Sequence, residues 1–339
     1  MRAIVHERTG GPEVLSLVER DVPRPGAGEV VVRVSVSGVN PTDWKTRAGR
    51  QPGDRLPFPE VVPNQDGAGT VVAAGPGVDP ARVGERVWVW EAGWERAGGT
   101  AQELVALRAA QAVALPDGAS FDLGASLGIP ALTAHRTLTV GADGPRSLGP
   151  EALRGATVLV AGGAGAVGHA AIELARWSGA TVVATVSSPE KGALADAAGA
   201  HHVVNYRQAG AAEAVRAVAP GGVDLVVEVA SVANAALDLD VLAESGTVAI
   251  YASENEPLAL PTRRCMRLNA RLQFVFVYTY PRAAKARAVE DVSAAVAAGA
   301  LRVGEGAGLP LHRFPLERTG DAHAAVEAGA VGKVLVDVG

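Results

Sequence analysis

Three glycines spaced G-x-G-x-x-G, at Gly163, Gly165 and Gly168, stand in the run Val158-Leu159-Val160-Ala161-Gly162-Gly163-Ala164-Gly165-Ala166-Val167-Gly168. An apolar run precedes them and a helical stretch, His169–Trp177, follows, which is the context in which this pattern holds a dinucleotide. Glycine permits the tight turn, a missing Cβ lets backbone N–H groups reach a pyrophosphate, and the helix N-terminus favours the anion. Gly162, Gly163, Ala164, Gly165, Ala166 and Val167 are the candidate cradle.

The next strand bears on which dinucleotide is held. An NAD site wants a carboxylate about 20 residues on, for the ribose 2′-hydroxyl. The sequence there reads Val182-Val183-Ala184-Thr185-Val186-Ser187-Ser188-Pro189-Glu190-Lys191, so Val186 or Ser187 takes the acidic position. The donors of Ser187, Ser188 and Lys191 suit a 2′-phosphate, which a carboxylate would repel. NADPH is the expected cofactor, with Glu190 read as a solvated residue of the helix's first turn. Val229 and Tyr251, which close two later strands, are counted with the cofactor residues.

These residues need a parallel sheet to hold them, and the pattern supplies one. From Ala156 onward short apolar strands alternate with helices: 157–160, 181–186, 202–205, 225–229 and 247–251, each followed or preceded by a helical stretch. That alternation predicts a doubly wound α/β domain. The first third differs, with short β-branched runs at 3–5, 14–18, 30–36, 68–73 and 86–90 between Gly/Pro turns, which predicts a β-rich, partly barrel-like domain. Ser120 to Leu138 has helical spacing with an expected break at Pro130, and 333–336 is a closing strand able to rejoin the first domain. The expected division is 1–125 with 308–339, and 126–307 inserted between them.

Composition narrows the function. A chain of 339 residues with 48% hydrophobic content builds sizeable cores. A formal net charge of −5 argues against a non-specific nucleic-acid binder. One cysteine, Cys265, excludes an internal disulfide framework and any cysteine-cluster metal site, and the 7 histidines show no metal spacing. Although Arg263, Arg264 and Arg267 surround Cys265, a lone unpartnered thiol reads as inert. No run reaches the length of a membrane span and no leader pattern is seen, so a cytoplasmic protein without membrane partners is expected.

Several segments together resemble the zinc-free quinone oxidoreductases, the zeta-crystallin-like group of the medium-chain dehydrogenase/reductase superfamily. They are Ser37-Gly38-Val39-Asn40-Pro41-Thr42-Asp43, Asp66-Gly67-Ala68-Gly69-Thr70-Val71-Val72, Gly84-Glu85-Arg86-Val87, Gly128-Ile129-Pro130-Ala131-Leu132-Thr133-Ala134, the glycine turn, and Gly332-Lys333-Val334-Leu335-Val336. The resemblance spans essentially the whole chain and implies a Rossmann domain with a GroES-like catalytic domain. Zinc-dependent members place cysteine where Asn40 stands and a His-Glu pair where Gln65-Asp66 stands. Neither Asn40 nor Gln65 is a usual zinc ligand, so no metal is expected.

The resemblance also implies roles. Asn40 is placed near the nicotinamide end, its amide donating to the developing oxygen of the acceptor. Thr133 resembles the family threonine that contacts the nicotinamide, and Tyr206 the tyrosine beside the 2′-phosphate with Lys191. Thr42 sits where zinc alcohol dehydrogenases carry a proton-relay hydroxyl, while Asp43 is read as capping a short helix begun by Trp44-Lys45. The expected activity is hydride transfer from NADPH to a small electrophilic acceptor, a quinone or α,β-unsaturated carbonyl. Two alternatives stay open: an enoyl-thioester reductase, and a catalytically idle NADPH-binding sensor or interaction protein. Alternation in Leu272–Tyr278 puts Phe274, Phe276 and Tyr278 on one face of an edge strand, through which a homodimer is expected. Cover by the chain's own 281–289 segment is the other reading of that edge.

Overall fold

Runs of β-branched residues form strands throughout the first third: β1 (Arg2–Val5), β2 (Ser16–Glu19), β3 (Glu29–Val39), β4 (Asp66–Ala74), β5 (Arg86–Val89), β6 (Leu104–Arg108) and β7 (Ala112–Ala114), with α1 (Pro41–Ala48) after β3. Two short helices follow, α2 (Phe121–Gly124) and α3 (Gly128–Leu138). Then strands and helices alternate: β8 (Thr157–Ala161), α4 (Ala166–Trp177), β9 (Thr181–Val186), α5 (Pro189–Ala197), β10 (His202–Asn205), α6 (Ala211–Val218), β11 (Val223–Glu228), α7 (Ser231–Val241), β12 (Leu242–Ile250), α8 (Thr262–Leu268), β13 (Arg271–Phe274) and α9 (Arg282–Ala297). The chain ends in β14 (Leu311–Pro315), α10 (Thr319–Glu327) and β15 (Lys333–Asp337). This computed structural model describes residues 1–51, 53–141, 143–253 and 256–339.

Two units result, Met1–Ile129 with Pro310–Gly339, and Pro130–Leu309. The division falls inside α3, at 129/130 and 309/310, against the expected 125/126 and 307/308.

The first unit is built on a mainly antiparallel sheet of order β14-β15-β3-β4-β5-β7, with β6 also paired to β3. The closing strand β15 runs antiparallel to β3, Val334 opposite Val39 and Val336 opposite Ser37. The last residues of the chain therefore complete the sheet begun by the first, and the α/β unit is an insertion in sequence. Val30, Val32, Val34, Val105, Leu107 and Val336 lie within its fully buried core. Each such side chain contributes about 1.5–3 kcal/mol relative to an exposed one.

The second unit carries a parallel sheet of order β10-β9-β8-β11-β12-β13. Both faces are covered, so its strands are apolar without alternation: Val158, Val160, Val182, Val183, Val226 and Val227 are all buried. Numbered from β8, that order is the 3-2-1-4-5-6 arrangement of a dinucleotide-binding sheet, which reverses direction between β8 and β11.

Two expectations need correction. The helical break between 120 and 138 lies at 125–127, and Pro130 is the third residue of α3. Proline is tolerated in a helix's first turn, where its missing N–H has no partner to lose. The strand expected over 272–278 ends at Phe274, because β12 ends at Ile250 and its ladder with β13 stops at the Ile250–Phe274 pair. Beyond it the chain turns, Thr279 N donating to Phe276 O at 3.1 Å. Phe274 and Phe276 are exposed while Tyr278 is buried, so the three do not share a face.

Candidate active site

In the second unit every expected cofactor residue from Gly162 to Tyr251 sits at or just beyond the carboxyl end of a parallel strand, where ligands bind such sheets. The glycine turn leaves β8 with Gly162 at a φ of +67°, a conformation that excludes most side chains. A Cβ on Gly168 would overlap the Gly162 carbonyl oxygen, so the first turn of α4 closes onto the strand only with glycine there. Gly165 is the N-cap of α4 and no side chain caps the helix, leaving its first N–H groups for an anion. Val229 stands across the switch point, its Cγ1 3.2 Å from where a Gly162 Cβ would lie. This cradle fits a dinucleotide pyrophosphate.

Beside it, Ser188 caps α5, its Oγ accepting from Lys191 N at 3.3 Å. The Ser188 hydroxyl also donates to Glu190 and holds that carboxyl below its ordinary range. Ser188 is therefore engaged in starting the helix, while the side chains of half-buried Ser187 and Lys191 and of the more exposed Tyr206 make no hydrogen bond or ion pair among the described residues. Tyr206 reaches this corner because its N–H donates to Val186 O at 3.0 Å, extending the β9–β10 ladder by one residue. Thr133 is buried in α3, also in this unit.

Sequence reading missed an acid pair here. Glu228, the last residue of β11, is fully buried and accepts from Ala230 N and from Asn234 Nδ2, the latter at 3.0 and 3.2 Å. Burial pushes the Asp238 carboxyl up to about 9, with the Glu228 charge adding to the shift. Asp238 thus keeps its proton at neutral pH and hydrogen-bonds the Glu228 carboxylate. The pair clamps the Val229–Ala230 turn. Tyr251 is also held protonated by burial and by the same Glu228 charge. An acid ending the apolar run Leu225-Val226-Val227 was the available signal.

The first unit gathers a second cluster through sheet register. Asn40 follows the end of β3, Asp66 opens β4 opposite Gly38, and Lys333 opens β15 one residue before Val334, the partner of Val39. All three are buried, exposed by 2% or less. Lys333 Nζ donates to Asn40 Oδ1 at 2.7 Å, Asn40 Nδ2 donates to Asp66 Oδ2 at 2.7 Å, and Nζ lies 3.8 Å from that same Oδ2. Asp66 also accepts from Ile129 N at 2.9 Å. A Cβ on Gly128 would overlap Asp66 Oδ1, so glycine there lets the carboxylate reach the start of α3.

Asp43 belongs to the same cluster. It lies inside α1 at the third position, behind Pro41 and Thr42, and accepts from Asn40 N at 2.7 Å. It therefore steadies the helix start from within, not from the cap position, which Asn40 holds. Burial pushes Asp43 up to about 8, with the Asp66 charge adding to the shift, while Asp66 itself stands at about 6. Burial lowers Lys333, against the opposing pull of the two acids. At neutral pH Asp43 therefore keeps its proton, and the Asp66 carboxylate is the group that faces Lys333 Nζ.

These residues do not fit zinc. Asn40 and Gln65 offer amides, Gln65 Oε1 already accepts from Gly93 N at 3.1 Å, and Asp66 is occupied by Asn40, Ile129 and Lys333. Among the described residues no group of three or more His, Cys, Asp or Glu could hold a metal ion. No helix among them is long and apolar enough to cross a membrane.

A dinucleotide sheet inserted into a β-rich domain is the architecture of a nucleotide-dependent dehydrogenase. The family model for the alcohol dehydrogenase GroES-like domain matches residues 26–117, and that for zinc-binding dehydrogenases matches residues 166–297. The quinone oxidoreductase of Lama guanicoe is 32% identical over 344 residues, covering 99% of this chain and 97% of that one. An NAD-dependent alcohol dehydrogenase structure superposes with a TM-score of 0.84 at 28% identity, covering 100% of both chains. A mycobacterial structure complexed with NADPH superposes at 0.81 with 30% identity, covering 99% of each. The chain belongs to the medium-chain dehydrogenase/reductase family, with the quinone oxidoreductases, and is an oxidoreductase. The matched zinc-binding dehydrogenase segment includes none of Asn40, Gln65 and Asp66.

Proposed function

We propose that the protein transfers hydride from NADPH to a quinone or an α,β-unsaturated carbonyl without a metal ion. The observation that carries this reading is Lys333 on Asp66 and Asn40. At the position where the resemblance places the ion of zinc relatives, Asn40 accepts from Lys333 Nζ and donates to Asp66, with Lys333 Nζ 3.8 Å from the same carboxylate oxygen. Hydride addition to a quinone or enone yields a delocalised anion, for which amide hydrogen bonding suffices in place of a strong Lewis acid.

When bound, NADPH supplies the hydride. Residues 162–168 hold its pyrophosphate, and Ser187, Lys191 and Tyr206 face its 2′-phosphate. Thr133 orients the nicotinamide and Asn40 donates to the acceptor's oxygen, roles that rest on the family resemblance. Thr42 is held as a further hydroxyl of the same helix start. The mycobacterial relative's NADPH complex supports the cofactor assignment; the NAD-dependent relative makes cofactor preference the first thing to measure.

β13 is the last strand of its sheet and Phe274 at its end is 66% exposed, which supports a homodimer as the state that covers this edge. The function is tested by following NADPH oxidation with a panel of quinones, enones and enoyl thioesters. Turnover of quinones or enones is expected; turnover of thioesters alone shifts the assignment to an enoyl reductase. Tight NADPH binding with no turnover of any acceptor identifies a cofactor-binding protein without this activity.

A further inference from the structure

Glu228 carries a charge that the function proposed above leaves unused. It is fully buried at the end of β11, and its carboxylate accepts from the amides of Val229 and Ala230, from Asn234 Nδ2 and from the Asp238 carboxyl. Burial raises the Glu228 carboxyl, and these donors pull it back toward its ionised form. With Asp238 holding the one shared proton, the pair keeps a single negative charge at neutral pH. Among the described residues no lysine, arginine or histidine pairs with either acid, and Asp238 of α7 and Tyr251 after β12 are the titratable groups that face Glu228. A carboxylate buried without a cation is costly, and its field reaches far through a low-dielectric interior.

The place of Glu228 in the sheet says what cation would complete it. Ser187 after β9 and Tyr206 after β10 lie on the 2′-phosphate side of the glycine turn. That leaves the β11–β13 side of the switch point for the nicotinamide half of the dinucleotide. Val229, the next residue, already reaches the glycine turn, its Cγ1 3.2 Å from where a Gly162 Cβ would lie. Tyr251 N donates to Glu228 O at 3.0 Å, so the ends of β11 and β12 stand together there. Loss of hydride, which takes its electron pair to the acceptor, turns the neutral dihydronicotinamide of NADPH into the cationic ring of NADP+. We propose that the Glu228 carboxylate favours the cationic over the neutral ring and so makes bound NADPH a stronger hydride donor. This rests on the cofactor and reaction proposed above. Being fully buried, Glu228 acts through its field and not by contact with the acceptor.

The test reads the ratio of the Kd for NADPH to the Kd for NADP+ by titration calorimetry, without acceptor, in wild type, Asp238→Asn and Glu228→Gln/Asp238→Asn. The two nucleotides carry the same phosphates, so a merely structural role of the pair moves both affinities alike and leaves the ratio unchanged. The double variant removes the charge and keeps polar groups of the same size. It is expected to weaken NADP+ relative to NADPH about tenfold, which is about 30 mV in the potential of the bound couple. Asp238→Asn keeps the Glu228 charge and a donor toward it, and is expected to hold the wild-type ratio within about twofold. A double variant with the wild-type ratio overturns the proposal, as does Asp238→Asn with the full shift. Should the double variant fail to fold, linkage gives the same reading by NMR in wild type labelled with 13C at its glutamate carboxyls. The pair's titration midpoint, read at the Glu228 carboxyl, is expected about one pH unit lower with NADP+ than with NADPH; equal midpoints overturn the proposal. Wild type that binds neither nucleotide removes the cofactor assignment and this proposal together. An unchanged ratio with both nucleotides bound removes this proposal alone.

Discussion

Lys191 and Gly168 act on the same ligand by different physics, and their variants separate the two. Lys191 offers a charge that NADPH can use and NADH cannot. Lys191→Ala is expected to weaken NADPH about tenfold and NADH less than about twofold, measured by nucleotide fluorescence titration; equal losses would refute the phosphate assignment. A Cβ on Gly168 meets the Gly162 carbonyl instead, so Gly168→Ala is expected to weaken both nucleotides, about tenfold or more. Asp43 yields a prediction about pH. Its folded-state pKa of about 8 stands above the unfolded value of 3.8, so the fold gains from its protonated form. That contribution is complete below about pH 4 and is lost as pH rises through about 8. Asp43→Asn, which keeps an acceptor for Asn40 N, is expected to lose less stability than wild type between pH 5 and pH 8 in urea unfolding. An unchanged pH slope would show that Asp43 titrates normally.

At the scale of elements, the sequence made some structures legible and hid others for definite reasons. The strands 181–186 and 202–205 have the bounds read from their β-branched runs, and the glycine turn lies where its spacing placed it. The strand after Arg271 was misjudged, because its length is set by β12 and not by its own alternation. The Lys333 cluster was hidden for a related reason. Its members lie 26 and 293 positions from Asn40 and meet only through the register of β3, β4 and β15. Glu228 and Asp238 were hidden because an acid pair sharing a proton looks, in sequence, like two unrelated surface charges. The short, exposed end of β13 carries its own prediction. Wild type is expected at twice the mass of one chain in light scattering, and Phe274→Asp at one, since a charge on that edge blocks strand pairing. Wild type at the mass of one chain would remove the dimer.

For the molecule as a whole, one chain carries two constructions that the proposed function assigns to one reaction. The inserted parallel sheet places a glycine turn, two serines, a lysine and a tyrosine at its carboxyl edge. The domain that flanks it in sequence, closed by β15, buries Lys333, Asp66 and Asn40 together. The central claim is that this set replaces a metal in hydride transfer. It is tested by single-turnover oxidation of NADPH by 1,4-naphthoquinone, on protein dialysed against a chelator and shown metal-free by mass spectrometry. The account predicts the rate of untreated protein, unchanged by added zinc. Loss of turnover on chelation, restored by zinc, would contradict it.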